Sequence, residues 1–211
     1  MHLTWFGHAS VRIETKEGVV IYVDPYAGDE QLYDKAADVV LVTHADYDHL
    51  KLALLKRILT DDTVLFSIRD VCAQVDGCKP IWPGEKHTVK GVTITAVDAY
   101  SLRGNHKKGE GVGYLIGCEG RTVYVAGDTD FIPEMRRFRA DIVFLPVGGT
   151  YTMGAKDAAQ IVLGMKPEHA IPYHWGSVVG SIDDARDFKE LVDTAGHTVV
   201  HIMSPSQMIE V

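Results

Sequence analysis

Short runs of apolar and β-branched residues, broken by glycine or charge, dominate the first half of the chain. HLTWF (2–6), SVRIE (10–14) and VVIYV (19–23) are separated by Gly7 and by Lys16-Glu17-Gly18, the punctuation of successive strands. DVVLV (38–42), TVLFSI (63–68), VTITAV (92–97), GVGYLI (111–116) and RTVYVA (121–126) continue the series. LKLALLKRIL (50–59) interrupts it with a helical period. Helical patterns return at IPEMRRF (132–138), AKDAAQIVLGM (155–165) and DDARDFKELVDTA (183–195), with Ser181 or Asp183 as the cap of the last. HTVVHI (197–202) and QMIEV (207–211) read as closing strands. Mixed strands and helices with apolar runs on both sides predict sheets covered by helices.

The two halves echo each other. Ala37-Asp38-Val39-Val40-Leu41-Val42 resembles Ala140-Asp141-Ile142-Val143-Phe144-Leu145, which starts 103 residues later. VIYVDPY (20–26) and TVYVAGD (122–128) repeat in the same order at nearly the same offset. Common order and spacing predict a duplicated β-rich unit. A pseudo-twofold pair of such units brings two sheets face to face, with equivalent strand ends along one edge.

A chain of 211 residues suits one domain, or two fused half-units, and buries a real core. Its 46% hydrophobic and 24% charged content is that of a soluble globular protein. The net charge of −8 argues against a sequence-blind nucleic-acid binder, which needs a cationic surface. Arg136, Arg137 and Arg139 share one short segment and read as a solvated helix face. No apolar run approaches the ~20 residues that span a bilayer, and Met1-His2-Leu3-Thr4-Trp5 lacks the pattern of a signal peptide. Cys72, Cys78 and Cys118 form no CxxC pair, which favours reduced thiols in a cytoplasmic protein. A small-molecule substrate is the expected partner, and a homo-oligomer is compatible with the sequence.

Chemistry gathers at strand ends. THADYDHL (43–50) follows DVVLV and puts His44, Asp46, Asp48 and His49 within six positions. Asp128 follows RTVYVAG, and His174 follows HAIPY. Each sits where the backbone leaves a sheet and a side chain can project into a cleft. Two histidines and two aspartates packed so closely after a buried strand are costly without a cation. Imidazole and carboxylate donors together suit zinc, manganese or iron, and not calcium. His2, His87, His169, His197 and His201 read as partly exposed polar residues, Asp130 as a helix cap, and Asp24-Pro25 as a turn.

THADYDH (43–49), AGDTD (126–130) and PYHWG (172–176), with the opening WFGHASVRIE (5–14) and PVGGTYTM (146–153), resemble the metallo-β-lactamase superfamily over nearly the whole chain. The resemblance implies one domain over residues 1–211 with an αββα four-layer sandwich, two mixed sheets between helices, and a one- or two-metal site at one edge. Carried over by position, one ion is held by His44, residue 46 and a third histidine. The second is held by Asp48, His49 and His174, and Asp128 bridges both. His106 is the only histidine between residues 88 and 168 and precedes GVGYLI, as the pattern requires, although RGNHKKGEG reads as a flexible loop.

Position 46 departs from the family, which usually has histidine there. An aspartate reaches about as far as a histidine bound through its nearer ring nitrogen, so Asp46 still ligates. It adds negative charge and a harder donor, so the expected pair of divalent ions is zinc with manganese or iron as alternatives. The implied chemistry is attack of a metal-generated hydroxide, oriented by Asp48, on a carbonyl carbon or phosphorus. Asp48 is therefore both ligand and catalytic residue. His8, Tyr151 and Ser177 are candidates to meet substrate, with Thr152 beside them. Lys107 and Lys108 could meet an anion but read as solvated. Loops at 26–36, 99–110 and 148–154 shape the pocket.

A metal-dependent hydrolase of a small ester, lactone, thioester or phosphate ester is the leading expectation. A β-lactamase proper is disfavoured, because no export signal is visible. The first alternative is a di-iron redox protein of the oxygen- or nitric-oxide-reducing kind, using Asp46 as carboxylate ligand; no flavodoxin-like phosphate loop accompanies it. The second is a non-catalytic metal-binding module, which the seven candidate ligands on open loops disfavour.

Overall fold

The strands pair into two seven-stranded mixed sheets in a computed structural model that describes residues 1–211. The first sheet takes β1 (His2–Gly7), β2 (Ser10–Glu14), β3 (Val20–Val23), β4 (Val39–Leu41), β5 (Val64–Ser67) and β6 (Lys79–Pro80). The second takes β7 (Lys86–Val89), β8 (Val92–Asp98), β9 (Val112–Cys118), β10 (Arg121–Val125), β11 (Ile142–Pro146), β12 (His169–Tyr173) and β13 (Val199–Val200). A last strand, β14 (Gln207–Glu210), returns to pair antiparallel with β1. Strands β3, β4 and β11 are buried throughout and read as continuous apolar runs, whereas buried β2 alternates Val11 and Ile13 with the ion-paired Arg12 and Glu14.

The duplication is visible in the pairing. The orders β14-β1-β2-β3-β4-β5-β6 and β7-β8-β9-β10-β11-β12-β13 match strand for strand, and antiparallel gives way to parallel at β3–β4 and again at β10–β11. Helix α1 (Leu52–Ile58) joins β4 to β5 as α3 (Ala155–Met165) joins β11 to β12. Helix α2 (Arg69–Cys72) and α4 (Ile182–Asp193) occupy the next equivalent crossovers. The repeated Ala-Asp has a structural job. The Asp38 carboxylate accepts from the Val20 N–H at 2.7 Å, and Asp141 accepts from the Thr122 N–H at 2.7 Å. Each aspartate also donates its own N–H to the same neighbour's carbonyl at 2.9 Å, clamping the start of the adjacent strand.

Several local expectations change. Ser181, not Asp183, caps α4, in a reciprocal capping box with Asp184. Residues Pro133–Arg137 form a 3-10 helix instead of an α-helix. The 197–202 run shrinks to the two residues of β13. Helix α2 and strands β6 and β7 carry no strong apolar period; β6 and β7 lie largely exposed at sheet edges. Trp175 is buried against Trp5, with ring centroids 5.0 Å apart.

The expectation of three reduced thiols is overturned, because Cys72 and Cys78 form a disulfide. The end of α2 turns back through Gly77, at φ +75°, and brings the two Cα atoms to 4.9 Å. An odd cysteine count says nothing about such a local turn. Cys118 is free and buried. No helix is long and apolar enough to cross a membrane.

Candidate metal centre

The ends of β3, β4, β10 and β12 converge on one edge of the sandwich and deliver Asp24, His44, Asp128 and His174. Three of the residues there are buried non-glycines in the left-handed region: His8 at φ +47°, Asp24 at +46° and His174 at +59°. Such backbone persists only where surrounding bonds enforce it. The His8 carbonyl does so, accepting from the His174 N–H at 2.9 Å and from the Trp5 indole N–H at 2.9 Å. Glycine permits the tight packing alongside. A Cβ on Gly148 would stand 2.6 Å from the His174 carbonyl oxygen.

Asp24 organises two of the histidines. Its carboxylate accepts from the Thr43 N–H and the Thr43 hydroxyl, each at 2.7 Å, and lies 2.8 Å from His49 Nδ1. With the hydroxyl proton given to Asp24, Thr43 Oγ1 is the acceptor for His44 Nδ1–H at 2.9 Å. Both rings are thereby fixed in the tautomer that leaves Nε2 as a bare lone pair.

Three groups of donors result. His44 Nε2 and His106 Nε2 lie 3.7 and 3.1 Å from Asp46 Oδ2. His49 Nε2 and His174 Nε2 lie 3.2 and 3.0 Å from Asp128 Oδ1, and Asp48 with His8 completes a second group around them. His44, His49 and Asp128 form the third, so Asp128 stands between the other two. All seven residues expected as ligands are brought together. The fit to a cation rests on orphaned atoms: buried His44 Nε2, His49 Nε2, His174 Nε2 and Asp128 Oδ1 make no well-aligned hydrogen bond, although two of the nitrogens lie within 3.2 Å of that oxygen. Converging nitrogen lone pairs and carboxylate oxygens are the donors a zinc, manganese or iron ion takes.

The charges agree. Burial, together with His49, drives His44 down to about 3, so it stays neutral and available as a ligand. Burial pushes His49 down too, but Asp128 and Asp24 on either side more than offset it and leave it well above its usual value. Burial raises Asp128, and His174 and His49 outweigh that, holding it well below the usual carboxylate range. The position of His49 thus calls for positive charge, which a proton or a metal ion supplies.

His8 is wholly buried behind Asp48, with Nε2 at 3.1 Å from Asp48 Oδ2 and Nδ1 at 3.3 Å from the Ser177 hydroxyl. One neutral tautomer satisfies both: Ser177 donates to Nδ1, and Nε2–H donates to Asp48. Asp48 is held below its usual range because, although burial raises it, the His8 hydrogen bond and the nearby His49 prevail. Tyr151 is half exposed and lines a cleft of about 360 Å³ with Asp46, Asp48, His106 and Asp128. Thr152 is buried and turned to the Met153 carbonyl.

The loop bearing His106 is anchored instead of free. Asp130 does not cap a helix; its Oδ2 accepts from the Leu102 N–H at 2.8 Å and the Ser101 hydroxyl at 3.2 Å. The Ser101 N–H then donates to the His106 carbonyl at 2.8 Å. Lys108 pairs with Glu134 at 2.7 Å and Asp98 at 3.2 Å, and neither it nor Lys107 lines the cleft. Sequence reading missed Asp24, Thr43 and the anchoring role of Asp130. The signal for Asp24 was present, since it ends a strand at the place where Asp128 ends the equivalent one.

Known proteins resemble this chain over its length. The family model described as "Beta-lactamase superfamily domain" matches residues 2–174. A UPF0173 metal-dependent hydrolase from Methanopyrus kandleri is 32% identical, with all of both chains covered. A metallo hydrolase from the archaeon Ignicoccus hospitalis superposes with a TM-score of 0.83 at 27% identity, covering 99% of this chain and 97% of that one. The diiron β-hydroxylase CmlA from Streptomyces venezuelae shares the fold alone, with a TM-score of 0.81 at 16% identity over 100% of this chain and 54% of its own.

Proposed function

The chain belongs to the metallo-β-lactamase superfamily, and on that premise we propose that residues 1–211 act as a single-domain, binuclear metal-dependent hydrolase of a small ester, lactone, thioester or phosphate ester. The observation that carries this reading is the set of orphaned, buried donor atoms on His44, His49, His174 and Asp128 at the wall of an open cleft. His44, Asp46 and His106 would hold one ion, Asp48, His49 and His174 the other, with Asp128 between them. Zinc is the first assignment, and the harder Asp46 donor makes manganese or iron the alternatives. When bound, such ions acidify a water and polarise the substrate's carbonyl or phosphoryl oxygen.

The chain's own residues supply the rest. Asp48 stays ionised, and with one oxygen engaged by His8 it has the other to orient a water or take its proton. Tyr151 and Asn105 narrow the mouth, the Asn105 amide donating to the Tyr151 carbonyl at 3.4 Å. A small-molecule substrate fits a cleft of this size better than nucleic acid does. The exposure of Asp46, whose side chain is 52% accessible, favours an exchangeable catalytic site over a closed structural one.

A di-iron redox centre has only the carboxylate at 46 in its favour, whereas the full-length relative from Methanopyrus kandleri carries a hydrolase name. Elemental analysis with an ester, lactone, thioester and phosphodiester panel tests the proposal. Near two equivalents of zinc or manganese, with turnover lost in Asp48→Asn, is the expected result. Two equivalents of iron with oxygen consumption and no hydrolysis would overturn it.

A further inference from the structure

A cavity of about 450 Å³ lies between the 3-10 helix Pro133–Arg137 and the outer face of α3, sharing no residue with the metal cleft. Met135 and Ile161 form its buried floor, Leu163 and Met165 its more open walls, and Arg136 and Arg139 its exposed cationic side. The arginines expected to be a solvated helix face therefore border an apolar hollow. Neither Arg136 nor Arg139, like Arg57, Arg69, Arg103 and Arg137, has a carboxylate within ion-pair distance, so no acidic side chain competes for the two guanidiniums. Arg139 is also pre-positioned, its Nη1 donating to the Phe138 carbonyl at 2.7 Å and the Arg136 carbonyl at 3.1 Å.

A second observation points the same way. Gly164 sits inside α3 and lines this cavity, and a Cβ there would meet nothing within 4 Å. Glycine within a helix is unfavourable, and no neighbour in this fold requires it. Nor does the backbone, since the left-handed residue that ends the helix is Lys166, at φ +57°. The missing side chain keeps the hollow open to something from outside.

We propose that this hollow binds an amphiphilic anion, a single alkyl chain ending in a carboxylate. The chain lies over Gly164 on the Met135, Ile161 and Met165 surface, and the carboxylate meets Arg136 and Arg139. Unbranched methionines adapt to a flexible chain, and a planar guanidinium matches a carboxylate fork. Nine lining residues fall well short of the 20–30 that each side of a stable protein interface contributes, and the volume is that of a small-ligand site. The inference is independent of the metal centre.

Decanoate titrated into the intact protein carrying 13C-methyl methionine tests it, because Met135 and Met165 report from the hollow and Met153 from the loop beside the metal cleft. Signals are assigned with Met135→Leu and Met165→Leu. Saturable shifts are expected at Met135 and Met165 and none at Met153. Octanoate, two methylenes shorter, binds about tenfold more weakly. The Arg136→Gln/Arg139→Gln pair weakens decanoate tenfold or more, and Gly164→Leu blocks it while favouring the helix. No shift at Met135 and Met165 in millimolar decanoate overturns the proposal. So does decanol binding as tightly as decanoate, or movement confined to Met153.

Discussion

Asp24 and His49 are joined at 2.8 Å, both completely buried, and the bond turns His49 Nε2 toward Asp128. The aspartate does not line the cleft itself, yet it decides which nitrogen of the ring is offered. Removing its charge should be felt at the metal.

Asp24→Asn is expected to lower metal affinity 10- to 100-fold, the usual cost of losing a supporting carboxylate. Asparagine tolerates the left-handed backbone at φ +46°, so the fold should survive. Competition with a chromophoric chelator measures the effect. Unchanged affinity would mean that His49 is oriented by packing alone.

Asp46→His should retain metal and move its preference toward zinc, because a softer neutral donor replaces a carboxylate beside His44 and His106. Metal content after growth in mixed zinc and manganese reads the preference. Loss of all metal would end the argument that the two side chains are interchangeable.

Gly148→Ala should destabilise the fold by about 1–3 kcal/mol, since its methyl group would press on the His174 carbonyl oxygen. Urea unfolding measures the loss, and the group around His174 should lose metal before the group around His106. Wild-type stability with intact metal content would show that the two loops part easily.

Asp130→Ala should free the loop carrying His106. Amide exchange at Leu102 should quicken, and the His44–Asp46–His106 group should hold its ion less tightly, with a stability cost of about 1–3 kcal/mol for stranding the buried Ser101 hydroxyl. Exchange rates equal to wild type would locate the anchor elsewhere.

Cys118 should alkylate slowly at pH 8 and progressively faster as pH rises, because burial, with Glu119 next, lifts its thiol to about 11. The thiolate is the reactive form, so each pH unit below that value cuts its population tenfold. Mass spectrometry after iodoacetamide should find Cys118 alone labelled until reductant opens Cys72–Cys78. Rapid labelling of folded protein at pH 7 would contradict the burial.

The architecture was legible because buried strands announce themselves as apolar runs and because Ala-Asp recurs at the same point in each half. Six of the expected ligands were legible because they crowd the ends of those runs, whereas His106, in a loop, was suggested only by the family resemblance. Asp24 and Asp130 were not, since a carboxylate after a strand or before a helix has common roles in turns and caps, and only tertiary contact distinguishes them. Strands β6 and β7 escaped for another reason: edge positions with polar, exposed side chains leave no hydrophobic period. Arg136 and Arg139 showed a charge cluster, but nothing in one dimension revealed the hollow beside them.

The duplicated halves do not carry duplicated chemistry. His44, Asp46, Asp48 and His49 come from the first repeat, His106, Asp128 and His174 from the second, and Asp24 serves as a prop where its counterpart position supplies Asp128. Neither half holds the full set of donors by itself. An ion seated among them would be a clasp across the seam, and chelation would be expected to loosen the joint between the repeats. Fragments divided between β6 and β7 would be expected to find each other more firmly in the presence of metal than without it.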